Sequence, residues 1–239
     1  MVIDVGNTST HFGIFQQTQL VKEWRVATER ISELQNIKRK IAKEIKSVVV
    51  SSVVPGANRI IRKIFPKARF VSYQNLGVKI KLKKPSQIGT DRLVNALAAR
   101  ELYGGPAIIV DFGTATTFDV ISKQGEYLGG AIAPGVLLAR DLLYERTAKL
   151  PWIKIAPPSK VIGRSTQEAL RSGLVFGYVA LTEGMVERLK KQLRAKSAKV
   201  IATGGLAKLI CKYTRIVDKI DPKLTLKGLK IAGERWQKN

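Results

Sequence analysis

The amino-acid sequence predicts an α/β protein built from two similar halves, and three observations carry that prediction. Short apolar strands alternate with amphipathic helices along the whole chain. A strand ending in Asp-x-Gly and followed by hydroxyl-rich residues occurs twice, as DVGNTSTHFGI over residues 4–14 and DFGTATTFDVI over residues 111–121. Between them, Gly104-Gly105-Pro106 breaks the pattern and marks a boundary, giving halves of residues 1–105 and 106–239.

Residues 2–5 read as an apolar strand broken at Gly6-Asn7-Thr8, and residues 12–15 and 20–26 as the next strands of a meander. Ile31, Leu34, Ile37, Ile41 and Ile45 define one face of a helix. The β-branched run 47–54 predicts a buried strand that turns at Pro55-Gly56. A short helix over 57–65 and a strand over 69–72 come next. Val78, Ile80 and Leu82 alternate with Lys79, Lys81 and Lys83, the pattern of a half-buried strand. A helix over 92–103 closes the first half. The second half predicts strands over 107–110, 116–122, 127–129 and 199–203, helices over 135–147 and 165–195, and a helix after Gly204-Gly205.

Composition narrows the class. The 239 residues are 45% hydrophobic, enough for a sizeable core, and low-complexity tracts are absent, which argues against disorder. One cysteine, Cys211, and one histidine, His11, rule out an internal disulfide and a structural Cys/His zinc site, so a reducing cytoplasm is expected. Residues 1–7 lack the basic and long apolar regions of a secretory leader. The longest uncharged apolar stretch, 128–139, falls short of a membrane span, which needs about 20 residues. The formal charge is +24. Its clusters at 38–46, 79–84 and 188–199 follow amphipathic periodicity, so solvated faces are expected rather than a nucleic-acid stripe.

The repeated motif suits phosphate. Its glycine lets the backbone approach a ligand, and turn N–H groups with Thr and Ser hydroxyls form an anion-binding nest. An Asp at the strand end can hold Mg²⁺ that bridges phosphate oxygens. Two such turns, Asp4 to His11 and Asp111 to Thr117, predict a triphosphate clasped from both halves across a cleft. Asp-x-Gly at a strand end is also an ordinary turn, and it is the pairing that favours the functional reading. Neither GxxxxGK[ST] nor GxGxxG is present. Thr203-Gly204-Gly205 lies between a strand and a helix and has two readings: paired glycines that admit a nucleoside close to the backbone, or an ordinary turn between the two elements. In Gly89-Thr90-Asp91-Arg92, Asp91 has two readings: the N-cap of a helix, or a base that accepts a proton from a substrate hydroxyl. Arg92 would then orient Asp91 or contact an anionic substrate.

In order and spacing, Asp4–His11, Gly89–Arg92, Asp111–Thr117, Gly129–Gly135, Ile162–Gly173 and Thr203–Leu206 resemble the type III pantothenate kinases, which are related to the Bvg accessory factor family. The resemblance runs over nearly the whole chain. It implies the actin-like, ribonuclease-H-like ATPase fold, with two similar halves of mixed β-sheet flanked by helices, and a homodimer. It implies transfer of the γ-phosphate of ATP to pantothenate, the first step towards coenzyme A, with Mg²⁺ and a monovalent cation such as K⁺ or NH₄⁺. By resemblance, Asp4, Val5, Gly6, Asn7, Thr8, Ser9, Thr10 and His11 form the first ATP loop, with Asp4 organising Mg²⁺. Thr114, Gly204 and Gly205 are further ATP contacts, and Asp111 is the monovalent-cation ligand. Asp91 is the general base, Gly89, Thr90, Asp91 and Arg92 bind pantothenate, and Thr166 reaches substrate from the partner subunit.

Two positions depart from the family pattern. Leu82 stands where members often carry a Tyr, nine residues before the base, and Lys84 replaces an Asn before Pro85. Both changes bear on pantothenate affinity rather than on phosphoryl transfer. Two other functions compete with this one: a kinase or phosphatase of the same superfold acting on a sugar or polyphosphate, and a basic nucleic-acid-binding regulatory factor. The Gly89–Arg92 segment argues against the first, and the lack of a helix-turn-helix or RNA-binding signature against the second.

Overall fold

The computed structural model describes residues 1–41 and 45–238. Its chain divides into two compact units. Unit 1 holds Met1–Leu102, Gly125–Tyr127 and Lys223–Asn239, and unit 2 holds Tyr103–Gln124 and Leu128–Pro222.

In unit 1 the apolar runs pair into one mixed sheet. β1 (Val2–Val5) pairs antiparallel with β2 (Ser9–Gln16), which pairs antiparallel with β3 (Gln19–Ala27). On its other side β1 lies parallel to β4 (Val49–Ser52), and β4 lies parallel to β5 (Arg69–Phe70). One face is covered by α1 (Leu34–Ile41), the 3-10 turn before it and α2 (Pro55–Ile64). Ile3, Val5, Phe12, Ile31, Leu34, Val50 and Ile61 form the core there. Each fully buried aliphatic or aromatic side chain contributes about 1.5–3 kcal/mol by leaving water. The expected helix through Ile31 to Ile45 therefore begins as a 3-10 turn. Residues 42–44, part of that helix and of the 38–46 basic cluster, lie outside the described residues.

The second helix pair of unit 1 is α3 (Thr90–Tyr103) and α7 (Leu224–Lys238). α7 packs on β1, β2 and β4 through buried Leu224, Leu226, Leu229 and Ala232. Thr225 Oγ1 donates to Asn95 Oδ1 of α3 at 2.8 Å. A Cβ at Gly228 would lie 2.4 Å from the Val94 carbonyl oxygen, so the two helices touch backbone to backbone. No helix over 224–238 is among the elements read from the sequence, where Gly228 and Gly233 lower helix propensity. This segment closes onto unit 1, whereas the boundary read from sequence assigned everything after residue 105 to the second half.

The alternating 78–83 segment keeps its burial pattern but forms one bridge, Ile80 to Tyr127, in place of a strand. Lys81 N–H donates to Tyr127 O, and Tyr127 N–H donates to Lys79 O, both at 2.8 Å. The 3-10 turn at Pro85 comes directly after it and ends the extended run. Its lysines are exposed, as a solvated face requires.

Unit 2 repeats the sheet. β6 (Ala107–Phe112) pairs antiparallel with β7 (Ala115–Ile121) and parallel with β9 (Lys199–Thr203). β8 (Tyr127–Pro134) lies beyond β7, and β10 (Lys219–Ile220) runs parallel beyond β9. The orders β3-β2-β1-β4-β5 and β8-β7-β6-β9-β10 are the same topology. α4 (Val136–Arg146), α5 (Thr166–Leu193) and α6 (Ala207–Ile210) complete the unit. Its core holds Ile108, Val110, Phe118, Val136, Val175, Val186 and Val200. Among the described residues, no helix is long and apolar enough to cross a membrane.

Candidate active site

In unit 1 the β1–β2 hairpin places a loop at the end of the sheet. Val5 is buried in β1, and its carbonyl accepts from Val53 N–H at 3.1 Å. The chain then turns, with Gly6 N–H donating to Ser9 O at 3.1 Å. Asn7 and Thr8 are exposed at the tip. Thr28 braces the turn from behind. Its Oγ1 donates to Gly6 O at 2.7 Å and lies 3.0 Å from Thr10 Oγ1. The Thr10 hydroxyl thus faces the scaffold and the Thr8 tip faces outward.

Asp4 is half-buried near the end of β1, opposite His11 of β2 and Ser51 of β4. His11 is enclosed by charged neighbours that the sequence pattern did not connect to it. Its Nε2 is 3.5 Å from Glu23, its Nδ1 is 3.3 Å from an Arg25 nitrogen, and Glu23 also pairs with Lys223. Burial first, then the Arg25 charge, lowers the His11 pKa to about 4, so the ring is neutral at pH 7. Glu23 and Arg25 lie on β3 in register with Gly13 and His11, a link visible only once the meander is paired.

The Gly89–Arg92 segment meets this loop through β4. Thr90 opens α3, and its Oγ1 lies 3.0 Å from Ser51 Oγ and 3.1 Å from Ser52 N. Asp91 comes next in the first turn, with its Oδ1 accepting from Arg92 N–H at 2.8 Å. Burial raises its pKa above the usual carboxylate range, against the opposing pull of Arg92. A Cβ on Gly89 would sit 2.5 Å from Asp91 Oδ1, so only glycine lets the chain pass this close to the carboxylate. The Arg92 guanidinium stacks 5.9 Å over the buried Tyr127 ring. The tetrapeptide and the Asp4 loop, far apart in the sequence, therefore meet at the ends of two neighbouring strands of one sheet.

Unit 2 assembles the second cluster. Asp111 stands opposite Thr117 in β7 and Thr203 in β9. Gly113 N–H donates to Ala115 O at 3.1 Å, and Thr114 is exposed at the tip. Gly204 comes after Thr203 with φ +91°, and a Cβ there would fall 2.5 Å from Asp111 Oδ1. Its missing side chain is what lets the Gly204-Gly205 turn lie against Asp111. The hairpin is one residue tighter than its counterpart, since Asp4 faces residue 11 and Asp111 faces residue 117.

Thr166 lies in unit 2. It is exposed in the first turn of α5, behind the N-cap Ser165, which accepts from Glu168 N–H at 3.3 Å. Glu168 in turn accepts from Arg164 N–H at 2.7 Å, completing a reciprocal cap. Among the described residues, no three His, Cys, Asp or Glu side chains converge on a metal position.

Two Asp-turn-hydroxyl loops on duplicated mixed sheets give the chain the actin-like ATPase and sugar-kinase fold. Solved structures agree on the fold. A conserved protein of the Baf family of transcriptional activators from Campylobacter jejuni superposes with a TM-score of 0.68 at 18% identity, over 100% of this chain and 99% of its own. An inorganic polyphosphate/ATP-glucomannokinase from Arthrobacter sp. strain KM gives 0.55 at 13% identity, over 99% of this chain and 98% of its own. The family model for type III pantothenate kinase matches residues 1–188. A type III pantothenate kinase from Moorella thermoacetica is 44% identical over an aligned length of 253 residues, which covers 98% of each chain. The chain belongs to the type III pantothenate kinase family.

Proposed function

We propose that this chain is an ATP-dependent pantothenate kinase in which Asp91 is the general base. The observation that carries the reading is Asp91 itself: a carboxylate with a raised pKa, set in the first turn of α3 and tied through β4 to the strand bearing Asp4. In this reading unit 1 supplies the first phosphate loop and the pantothenate segment Gly89–Arg92. Unit 2 supplies Thr114, Gly204 and Gly205 for the nucleotide.

Asp91 accepts the proton of the pantothenate hydroxyl as its oxygen attacks the γ-phosphorus. Backbone N–H groups of the Asp4 turn and exposed Thr8 hold phosphate oxygens. Arg92, stacked on Tyr127, presents a fixed cation to the pantothenate carboxylate.

The residues suit the two cations. Mg²⁺ that arrives with nucleotide needs only one or two protein carboxylates, and Asp4 is a strand-end carboxylate beside a hydroxyl loop. Asp111 is a strand-end carboxylate with Thr203 opposite and the Gly204 turn packed beside it, a hard oxygen donor suited to a monovalent ion. When bound, these cations neutralise charge on the transferring phosphoryl group.

The homodimer is part of the proposal. Leu137, Leu138, Leu142, Leu143 and Tyr144 of α4 are exposed, as is Trp152, and Ile162 is 81% exposed; exposed large apolar side chains of this kind suit an interface. Closed twofold pairing would cover them and brings Thr166 to the partner's substrate. A cytoplasmic location fits the single free cysteine and the metabolic reaction.

Coupled ADP release with ATP, Mg²⁺ and pantothenate, with and without K⁺, tests the reading. Turnover that needs both pantothenate and K⁺ is the expected result. A folded chain with no pantothenate-dependent turnover refutes it.

A further inference from the structure

β4 carries a polar pair, Ser51-Ser52, inside a run of valines, and Ser51 is fully buried. A buried hydroxyl needs partners. Ser51 Oγ lies 3.0 Å from Thr90 Oγ1, Ser52 N–H donates to Thr90 Oγ1 at 3.1 Å, and Thr90 Oγ1 donates to Ser52 O at 3.2 Å. A threonine hydroxyl has one proton and two lone pairs. With Thr90 donating to the Ser52 carbonyl, both lone pairs are taken by the Ser52 N–H and the Ser51 hydroxyl. Its capacity is spent on β4, and nothing of it remains for a substrate.

We propose that Ser51 and Thr90 are a positioning pair, a hydroxyl lock that fixes the start of α3, and with it Asp91, on the end of β4. Ser51 is the register partner of Asp4 in the parallel pair β1–β4. The lock therefore sets the base relative to the strand that carries the phosphate loop. Thr90 serves the substrate site through the placement of its neighbour and not by its own hydroxyl. This inference rests on the reading of Asp91 as the base.

The lock matters because base catalysis depends on distance. An error of about 1 Å in the placement of a reacting group costs up to about 100-fold in rate. Arg92 acts on Asp91 through its N–H and its charge, and Gly89 packs against Oδ1 from within the same segment. Neither prevents the helix start from shifting along β4.

The test uses the full chain and the variants Thr90→Val, Thr90→Ser and Ser51→Ala. For each, kcat, both KM values and Tm are measured, and the Asp91 carboxyl is titrated by ¹³C NMR, with Asp91→Asn assigning its signal. Thr90→Val keeps the shape and removes the hydroxyl. It is expected to lower kcat by about 10-fold to 100-fold while the KM for ATP stays within about 2-fold. Thr90→Ser keeps the hydroxyl and should restore kcat to within about 3-fold, with Ser51→Ala, which loses one contact of three, falling between them. The Asp91 titration should move down in Thr90→Val, as a loosened helix start lets water reach the carboxylate. Lower Tm with kcat and the Asp91 titration unchanged would reduce the pair to a structural role. A raised KM for pantothenate with kcat unchanged would return Thr90 to direct substrate contact. Loss of the base reading looks different: Asp91→Asn turns over normally, while the carboxyl titration still reports whether the lock holds.

Discussion

Asp4 and Ser51 stand opposite each other in the parallel pair β1–β4, and Asp111 and Thr203 hold the same relationship in β6–β9. The duplicated sheet thus sets an acidic strand end beside a hydroxyl-bearing strand end twice. Beyond the hydroxyl the two halves diverge. After Ser51 the chain locks onto α3 through Thr90, and after Thr203 it turns through Gly204 against Asp111. One scaffold position anchors the proposed base, and its counterpart packs a glycine turn against the second strand-end carboxylate.

Replacing Asp91 by Asn tests the base directly. The fold should be retained, because the amide oxygen still accepts from Arg92 N–H. Turnover should fall at least about 100-fold, the scale of general-base loss. Steady-state kinetics with a circular-dichroism control decides it, and near-normal kcat would remove Asp91 from that role.

Gly204→Ala should damage unit 2 locally. The φ of +91° disfavours an L side chain, and the new Cβ would meet Asp111 Oδ1 at 2.5 Å. The expected cost is about 1–3 kcal/mol of stability, with a raised KM for ATP and weakened K⁺ activation. Denaturant unfolding and a K⁺ titration of the rate measure both effects.

His11 makes stability depend on pH. Its folded pKa of about 4 lies below the ordinary histidine value of 6.5, so between those values the unfolded chain binds the extra proton. Stability is full above about pH 6.5 and falls as pH drops towards 4, by up to ~3 kcal/mol. His11→Gln should flatten that part of the curve. Urea unfolding of both proteins at several pH values gives the comparison, and identical slopes would contradict it.

Leu142→Asp should place a charge on the exposed apolar face of α4. If that face closes the dimer, light scattering will give a monomer and the kinase activity will drop with it. A variant that stays dimeric and active would place the interface elsewhere.

Much of the fold was legible in residue order. The Asp-x-Gly repeat and its flanking apolar runs predicted two halves, and the observed sheets share one topology because equal strand patterns pair in equal ways. The strand expected over 199–203 and the helix expected over 165–195 are both present, as Lys199–Thr203 and Thr166–Leu193. The segment 78–83 misled, because alternation reports which side chains are buried and not whether a partner strand lies alongside.

The sequence by itself determined the fold class, the order of the motifs and the residue types at each strand end, since these depend on local periodicity and turn chemistry. Only the tertiary structure decided that α7 closes onto unit 1, that Glu23, Arg25 and Lys223 enclose His11, and that Thr90 spends its hydroxyl on β4. Those outcomes depend on contacts between residues far apart in the chain, where packing space and hydrogen-bond capacity, not spacing along the sequence, select the partner.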